Sequence, residues 1–112
     1  MFTLENDKVV CFDVDSTLVF FKEPDPEKHP NSRYLFVNGL KIWVNNRVEN
    51  KIVQHYQRGW CVVVWSQSGN WWAKQVIEKL GLEEYVTMVL TKPLRYYDDY
   101  SSEDWLMEWK KP

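Results

Sequence analysis

The sequence predicts an α/β fold with a short parallel sheet. Three observations support this. Apolar, β-branched runs recur without alternation, as in strands covered on both faces. Amphipathic helical stretches lie between them. Glycines follow those helical stretches, where a left-handed residue ends a helix. Strands that alternate with helices imply right-handed crossovers.

Residues 8–13, Lys-Val-Val-Cys-Phe-Asp, read as the first strand, ending in a carboxylate. A loop with Pro24, Pro26 and Pro30 follows. Residues 33–44 hold Asn38-Gly39 between two β-prone runs, a strong short hairpin signal. Residues 46–58 predict a helix with Val48, Ile52, Val53 and Tyr56 as its apolar positions. Asn46 is its expected cap, with Glu49 as capping-box partner and Gly59 as its stop. Residues 60–66 form a second strand ending in Ser66. Residues 70–80 form a second helix, capped by Asn70 and closed by Gly81. Residues 85–90 read as a third strand and 94–98 as a fourth that ends in Asp98 and Asp99. A last helix, about 102–110, would bury Trp105, Leu106 and Trp109 as core.

The 112 residues make one domain, 1–112, with 33–44 as a hairpin flap. At 45% hydrophobic and 27% charged, the chain is a globular mixture and not a disordered one. Its net charge of −2 excludes broad electrostatic capture of nucleic acid or anionic membrane as its main work, though a local basic groove is compatible with it. No apolar run is long enough to span a membrane, and Met1–Lys8 lacks the apolar core of a secretory signal. Cys11 and Cys61 lie within apolar strands and read as small buried hydrophobes, which fits a reducing cytoplasm.

In open α/β sheets, ligands bind at the carboxyl ends of the strands. The polar residues expected there are Asp13, Asp15, Ser66, Lys92, Asp98 and Asp99. Clustered acids repel each other unless a cation joins them, and oxygen-only ligands point to a hard ion, most simply magnesium. A lysine and a hydroxyl suit a phosphoryl dianion. Ser68 rivals Ser66 for that role. Trp71 or Trp72 near the site offers a stacking surface or core packing. Lys22, Arg33 and Arg95 read first as ordinary solvated surface charges, with contact to a phosphate backbone as the alternative. His29 and His55 show no metal-ligand spacing.

These segments resemble the four motifs of the haloacid dehalogenase-like (HAD) phosphatases, in family order. Asp13-Val14-Asp15-Ser16-Thr17 is similar to the first motif, Asp-x-Asp-x-Thr. Val63-Val64-Trp65-Ser66 resembles the second, Lys92-Pro93 the third, and Tyr96-Tyr97-Asp98-Asp99 the fourth. The family often has Gly where Ser16 stands. The chain has no room for a cap domain, so it looks like a capless member.

The resemblance implies a Rossmann-like three-layer sandwich and a magnesium-dependent phosphomonoester hydrolase. Asp13 would form an aspartyl-phosphate and Asp15 would act as general acid and base. Ser66 and Lys92 would hold the phosphoryl group, with backbone N–H groups of residues 14–17 cradling its oxygens. Mg2+ would be held by Asp13, the main-chain carbonyl of Asp15, and one of Asp98 and Asp99, Asp98 being favoured, with Asp99 then binding through water or orienting a neighbour. The expected substrate is a phosphorylated small molecule or the phosphorylated end of a polymer, nucleic acid included. A polynucleotide 3′-phosphatase and a non-catalytic HAD-fold binding module are the alternatives. Oligomeric state is left open.

Overall fold

In the computed structural model, described over residues 8–105 and 107–112, the strands divide into two sheets. The parallel sheet holds β1 (Val9–Asp13), β5 (Cys61–Ser66) and β6 (Met88–Thr91) in the order β1-β5-β6. Its register runs from Val9 opposite Cys61 to Asp13 opposite Trp65, and from Val63 opposite Met88 to Ser66 opposite Thr91. The antiparallel sheet has the order β2-β4-β3, from β2 (Val19–Phe20), β3 (Tyr34–Val37) and β4 (Leu40–Val44). Helices α1 (Asn46–Gln57) and α2 (Asn70–Lys79) flank β5 in sequence.

Both crossovers of the parallel sheet step in the same direction, β1 to β5 to β6. Right-handed connections then put α1 and α2 on the same face. Burial agrees. Phe12, Val62 and Val64 share one core with Ile52 of α1 and with Val76 and Ile77 of α2. Residues on the opposite face are more open, and Val9 keeps 53% of its surface in water. Among the described residues the sheet therefore has helices on one face, where three layers were expected. A helix reaches the second face only if a connection reverses direction and places a strand outside β1. Residues 94–98, expected as a fourth strand, form none.

The hairpin expected at 33–44 is present. Asn38 and Gly39 have φ of 50° and 80°, the paired positive values of a type I′ turn. The short strand β2, which pairs Val19 with Val44, joins this hairpin and was not expected. Val19, Val37, Ile42 and Val44 point inward and are buried.

Helix α1 is capped by Asn45 and not by Asn46. The Asn45 side chain accepts from the Arg47 N–H at 3.2 Å. Glu49, the expected capping-box partner, instead holds Arg33 through two hydrogen bonds of 3.1 and 2.7 Å. Helix α2 starts after Gly69 without a side-chain cap, and the Asn70 N–H donates to Thr91 Oγ1 at 2.9 Å. Gly59 and Gly81 stand at positive φ just past the helices, as expected. The strand expected at 85–90 begins late, at Met88, because Glu83–Tyr85 form a 3₁₀ turn.

The C-terminal stretch departs most from expectation. Of the helix expected at 102–110, only a 3₁₀ turn at Ser102–Asp104 forms, and Leu106 lies outside the described residues. Trp109 is exposed and Trp105 is half-buried against Tyr96, so this stripe is not core. Leu94 and Tyr97 leave 90% and 96% of their surface in water. Neither cysteine is the buried hydrophobe expected: Cys11 is exposed and Cys61 half-buried. The sheet around Cys11 still shields its thiol enough to push its pKa up, with Cys61 adding to the effect. Of Met1–Lys8, where no secretory signal was expected, Met1–Asp7 lie outside the described residues. No helix among the described residues is long and apolar enough to cross a membrane.

Candidate functional site

The site is built around a tight turn that follows β1. The Thr17, Leu18 and Val19 N–H groups all donate to the Val14 carbonyl, at 3.3, 2.9 and 3.1 Å. Val14 and Leu18 are fully buried and anchor this turn in the core. Ser16 stands at φ 63°, a left-handed conformation that glycine adopts without strain. That geometry gives a physical reason for the glycine that the resembled motif often has there. Asn45 clamps the turn from the other side. Its Nδ2 donates to the Thr17 carbonyl at 2.9 Å and its N–H to the Leu18 carbonyl at 2.8 Å. One buried asparagine thus caps α1 and fixes the turn.

The turn sends its two acids to different neighbours. Asp13, half-buried at the end of β1, accepts from Thr17 Oγ1 at 3.2 Å through Oδ2. Its other carboxylate oxygen has no partner among the described residues. Asp15 accepts three hydrogen bonds: from Ser66 Oγ at 3.1 Å, Ser68 Oγ at 2.6 Å and Trp72 Nε1 at 2.8 Å. Three donors from β5, the following loop and α2 hold it in a single orientation.

Ser66 is buried. Its hydroxyl donates to Asp15 and accepts from the Ser68 N–H at 3.0 Å, while its carbonyl accepts from the Gly69 and Lys92 N–H groups. The hydroxyl is therefore turned toward Asp15, and Ser68 is the more exposed of the two serines. Lys92 follows β6 at the same rim. Its ammonium lies 6.0 Å from the centroid of Trp65, the residue that pairs with Asp13 across the sheet.

Asp13, Asp15, Ser66 and Lys92 thus stand at the carboxyl ends of three neighbouring strands. Asp98 and Asp99 do not join them. Asp98 accepts from the Tyr100 N–H at 3.0 Å and lines a shallow recess of about 720 Å³ with Tyr100, Asp104, Trp105 and Met107. The Tyr100 N–H, helped by a hydrogen bond from Asp99, holds the Asp98 carboxyl below its ordinary range. Among the described residues, no three His, Cys, Asp or Glu side chains stand together as a group that could hold a metal ion. The four expected acids, Asp13, Asp15, Asp98 and Asp99, thus do not form such a side-chain group among the described residues. The strand expected to end in Asp98 and Asp99 does not form, so no sheet hydrogen bonding fixes these acids at the rim.

The expected backbone cradle is also changed. The N–H groups of Val14, Ser16 and Thr17 are taken by Trp65, Val19 and Val14 carbonyls, at 3.1, 2.8 and 3.3 Å. Of residues 14–17, only Asp15 has an N–H without a partner among the described residues. Sequence reasoning missed Asn45 as the clamp, Trp72 as a donor to Asp15, and Thr17 as the partner of Asp13. The Asn45-Asn46 pair and the threonine two residues past Asp15 were the available signals. Nothing in the sequence pointed to the Trp72 bond.

Comparison of the chain with family models, with curated proteins and with solved structures finds no match.

Proposed function

We propose that this chain is a phosphohydrolase of the HAD type, with Asp13 as nucleophile. More particularly, it would be a capless phosphomonoester hydrolase. The observation that supports this reading is the meeting of Asp13, Asp15, Ser66 and Lys92, from three separate segments, at one rim of the parallel sheet.

The free carboxylate oxygen of Asp13 would attack phosphorus as the bond to the leaving oxygen breaks, giving an aspartyl-phosphate. Asp15 would give its proton to the leaving oxygen. It would then take a proton from the water that attacks phosphorus, which releases phosphate and restores Asp13. Thr17 orients Asp13, and the three donors around Asp15 orient that group. The Lys92 ammonium would offset phosphoryl charge, the main demand of phosphoryl transfer. Both serines donate to Asp15, and Ser68 is the exposed one that a phosphoryl oxygen would reach.

Magnesium dependence is part of the proposal. Asp13 Oδ2, which accepts from Thr17 and keeps a second lone pair, suits a hard cation, whose function would be to neutralise phosphoryl charge. The acids gathered at this rim do not by themselves complete a magnesium site, since Asp98 and Asp99 lie elsewhere. That separation favours a second reading, a non-catalytic module on the same fold. Release of phosphate from an aryl phosphate, with and without magnesium, separates the two. The hydrolase reading predicts magnesium-dependent release that Asp13→Asn abolishes while the protein stays folded. Release that survives the substitution would remove Asp13 from the mechanism.

A further inference from the structure

The antiparallel sheet buries one face, and on the other, among the described residues, Tyr34 and Phe36 are open to water. Phe20, Tyr34, Phe36, Lys41 and Trp43 occupy that outer face, as the register requires: Phe20 and Tyr34 pair with Trp43, and Phe36 pairs with Lys41. Phe36 and Tyr34 keep 53% and 50% of their surface in water. The three strands contain no acid, in a chain that has 16. Their one charge is Lys41, whose ammonium lies 4.2 Å from the Tyr34 ring centroid and 5.1 Å from that of Trp43. Exposed aromatic rings around a cation, with no anion among them, match a polymer of flat bases joined by phosphates.

The same face leads toward the candidate site. Phe20 packs against His29 with ring centroids 4.9 Å apart. Both line a shallow recess of about 430 Å³ that also includes Lys22, Lys28 and Ser16, with Asp25 as its single acid. Ser16 belongs to the turn that carries Asp13 and Asp15. Aromatic face, basic recess and candidate nucleophile thus form a continuous series.

We propose that the outer face of the β2-β4-β3 sheet is a stacking platform for single-stranded nucleic acid, with Lys41 meeting its backbone. The platform stands on its own observations. Its consequence rests on the phosphohydrolase reading: a strand that crosses the Lys22 and Lys28 recess delivers a terminal phosphate to Asp13, which makes polynucleotide ends the substrate class.

Fluorescence anisotropy of the full chain with a labelled oligothymidylate of about ten nucleotides, within the site size of a small stacking module, tests the platform. The probe carries no terminal phosphate, so its result is independent of whether Asp13 is a nucleophile. Phe36→Leu keeps an apolar side chain but removes the ring, and weakens binding roughly five- to a hundredfold, the range of one lost base stack. Lys41→Gln lowers the salt dependence by about one phosphate contact. Thermal melts confirm that both variants fold. No binding by the folded wild-type chain at low salt overturns the proposal, as does binding that both variants leave unchanged. Self-association of the wild-type chain that Phe36→Leu abolishes, without oligonucleotide binding, also overturns it by assigning the face to a second copy.

Discussion

The fold treats two pairs of acids, Asp13 with Asp15 and Asp98 with Asp99, very differently. Asp13 and Asp15 bracket a turn whose apolar residues, Val14 and Leu18, are fully buried. Four side chains and one clamping asparagine hold that turn and its carboxylates. Asp98 and Asp99 lie in a stretch whose large apolar residues face water and whose hydrogen bonds are local. The two pairs share their residue type and differ in their surroundings. An acid pair is positioned for chemistry when the residues between and beside it are part of the core.

That contrast can be tested by substitution. The largest effect is expected within the shared core. Ile52→Ala removes a fully buried side chain and should cost about 2–5 kcal/mol in denaturant unfolding. Asn45→Ala removes both the α1 cap and the bond to the Thr17 carbonyl. It should cost about 1–3 kcal/mol and impair any activity that depends on the turn. Trp72→Phe deletes one donor to Asp15 and should cost about 1 kcal/mol. Ser16→Gly relieves a left-handed φ and should change stability by less than about 1 kcal/mol, in the stabilising direction. Tyr97→Ala, in the C-terminal stretch, should stay within about 0.5 kcal/mol of wild type. If Tyr97→Ala proved as costly as Ile52→Ala, the two regions would not differ as described.

The legible parts of the fold are those that carry their own local signal. Asn38-Gly39 specifies its turn through backbone conformation alone, and the hairpin formed where expected. The two helices have apolar faces long enough to read and glycines at their ends. The first two parallel strands were legible as β-branched runs. Residues 94–98 look like a strand through Leu94 and the β-prone Tyr96 and Tyr97, but β-propensity is realised only against a partner. The outer edge of β1 has no such partner among the described residues. Residues 102–110 show helical periodicity, yet so short a helix depends on tertiary packing. Only its first turn formed.

The candidate site was legible to the same extent. Asp13, Asp15, Ser66 and Lys92 lie at strand ends, and strand ends follow from local pattern plus topology. Asp98 and Asp99 were assigned to the site through a strand that did not form. The choice between Asn45 and Asn46 as cap was undecidable from sequence, because the two are identical and adjacent. The contact with Thr17, 28 residues away, decided it. The orientation of the Ser66 hydroxyl likewise depends on Asp15, 51 residues away.

The account requires a covalent bond between phosphorus and the side chain of Asp13. Rapid acid quenching during turnover, borohydride reduction and peptide mass mapping would detect it. The prediction is reductive modification at position 13 alone, present with a phosphorylated substrate and absent without one. Phosphate release with no modification at position 13, or modification at another acid, would contradict the account, as would a folded chain that turns over no phosphomonoester or phosphorylated oligonucleotide with magnesium present.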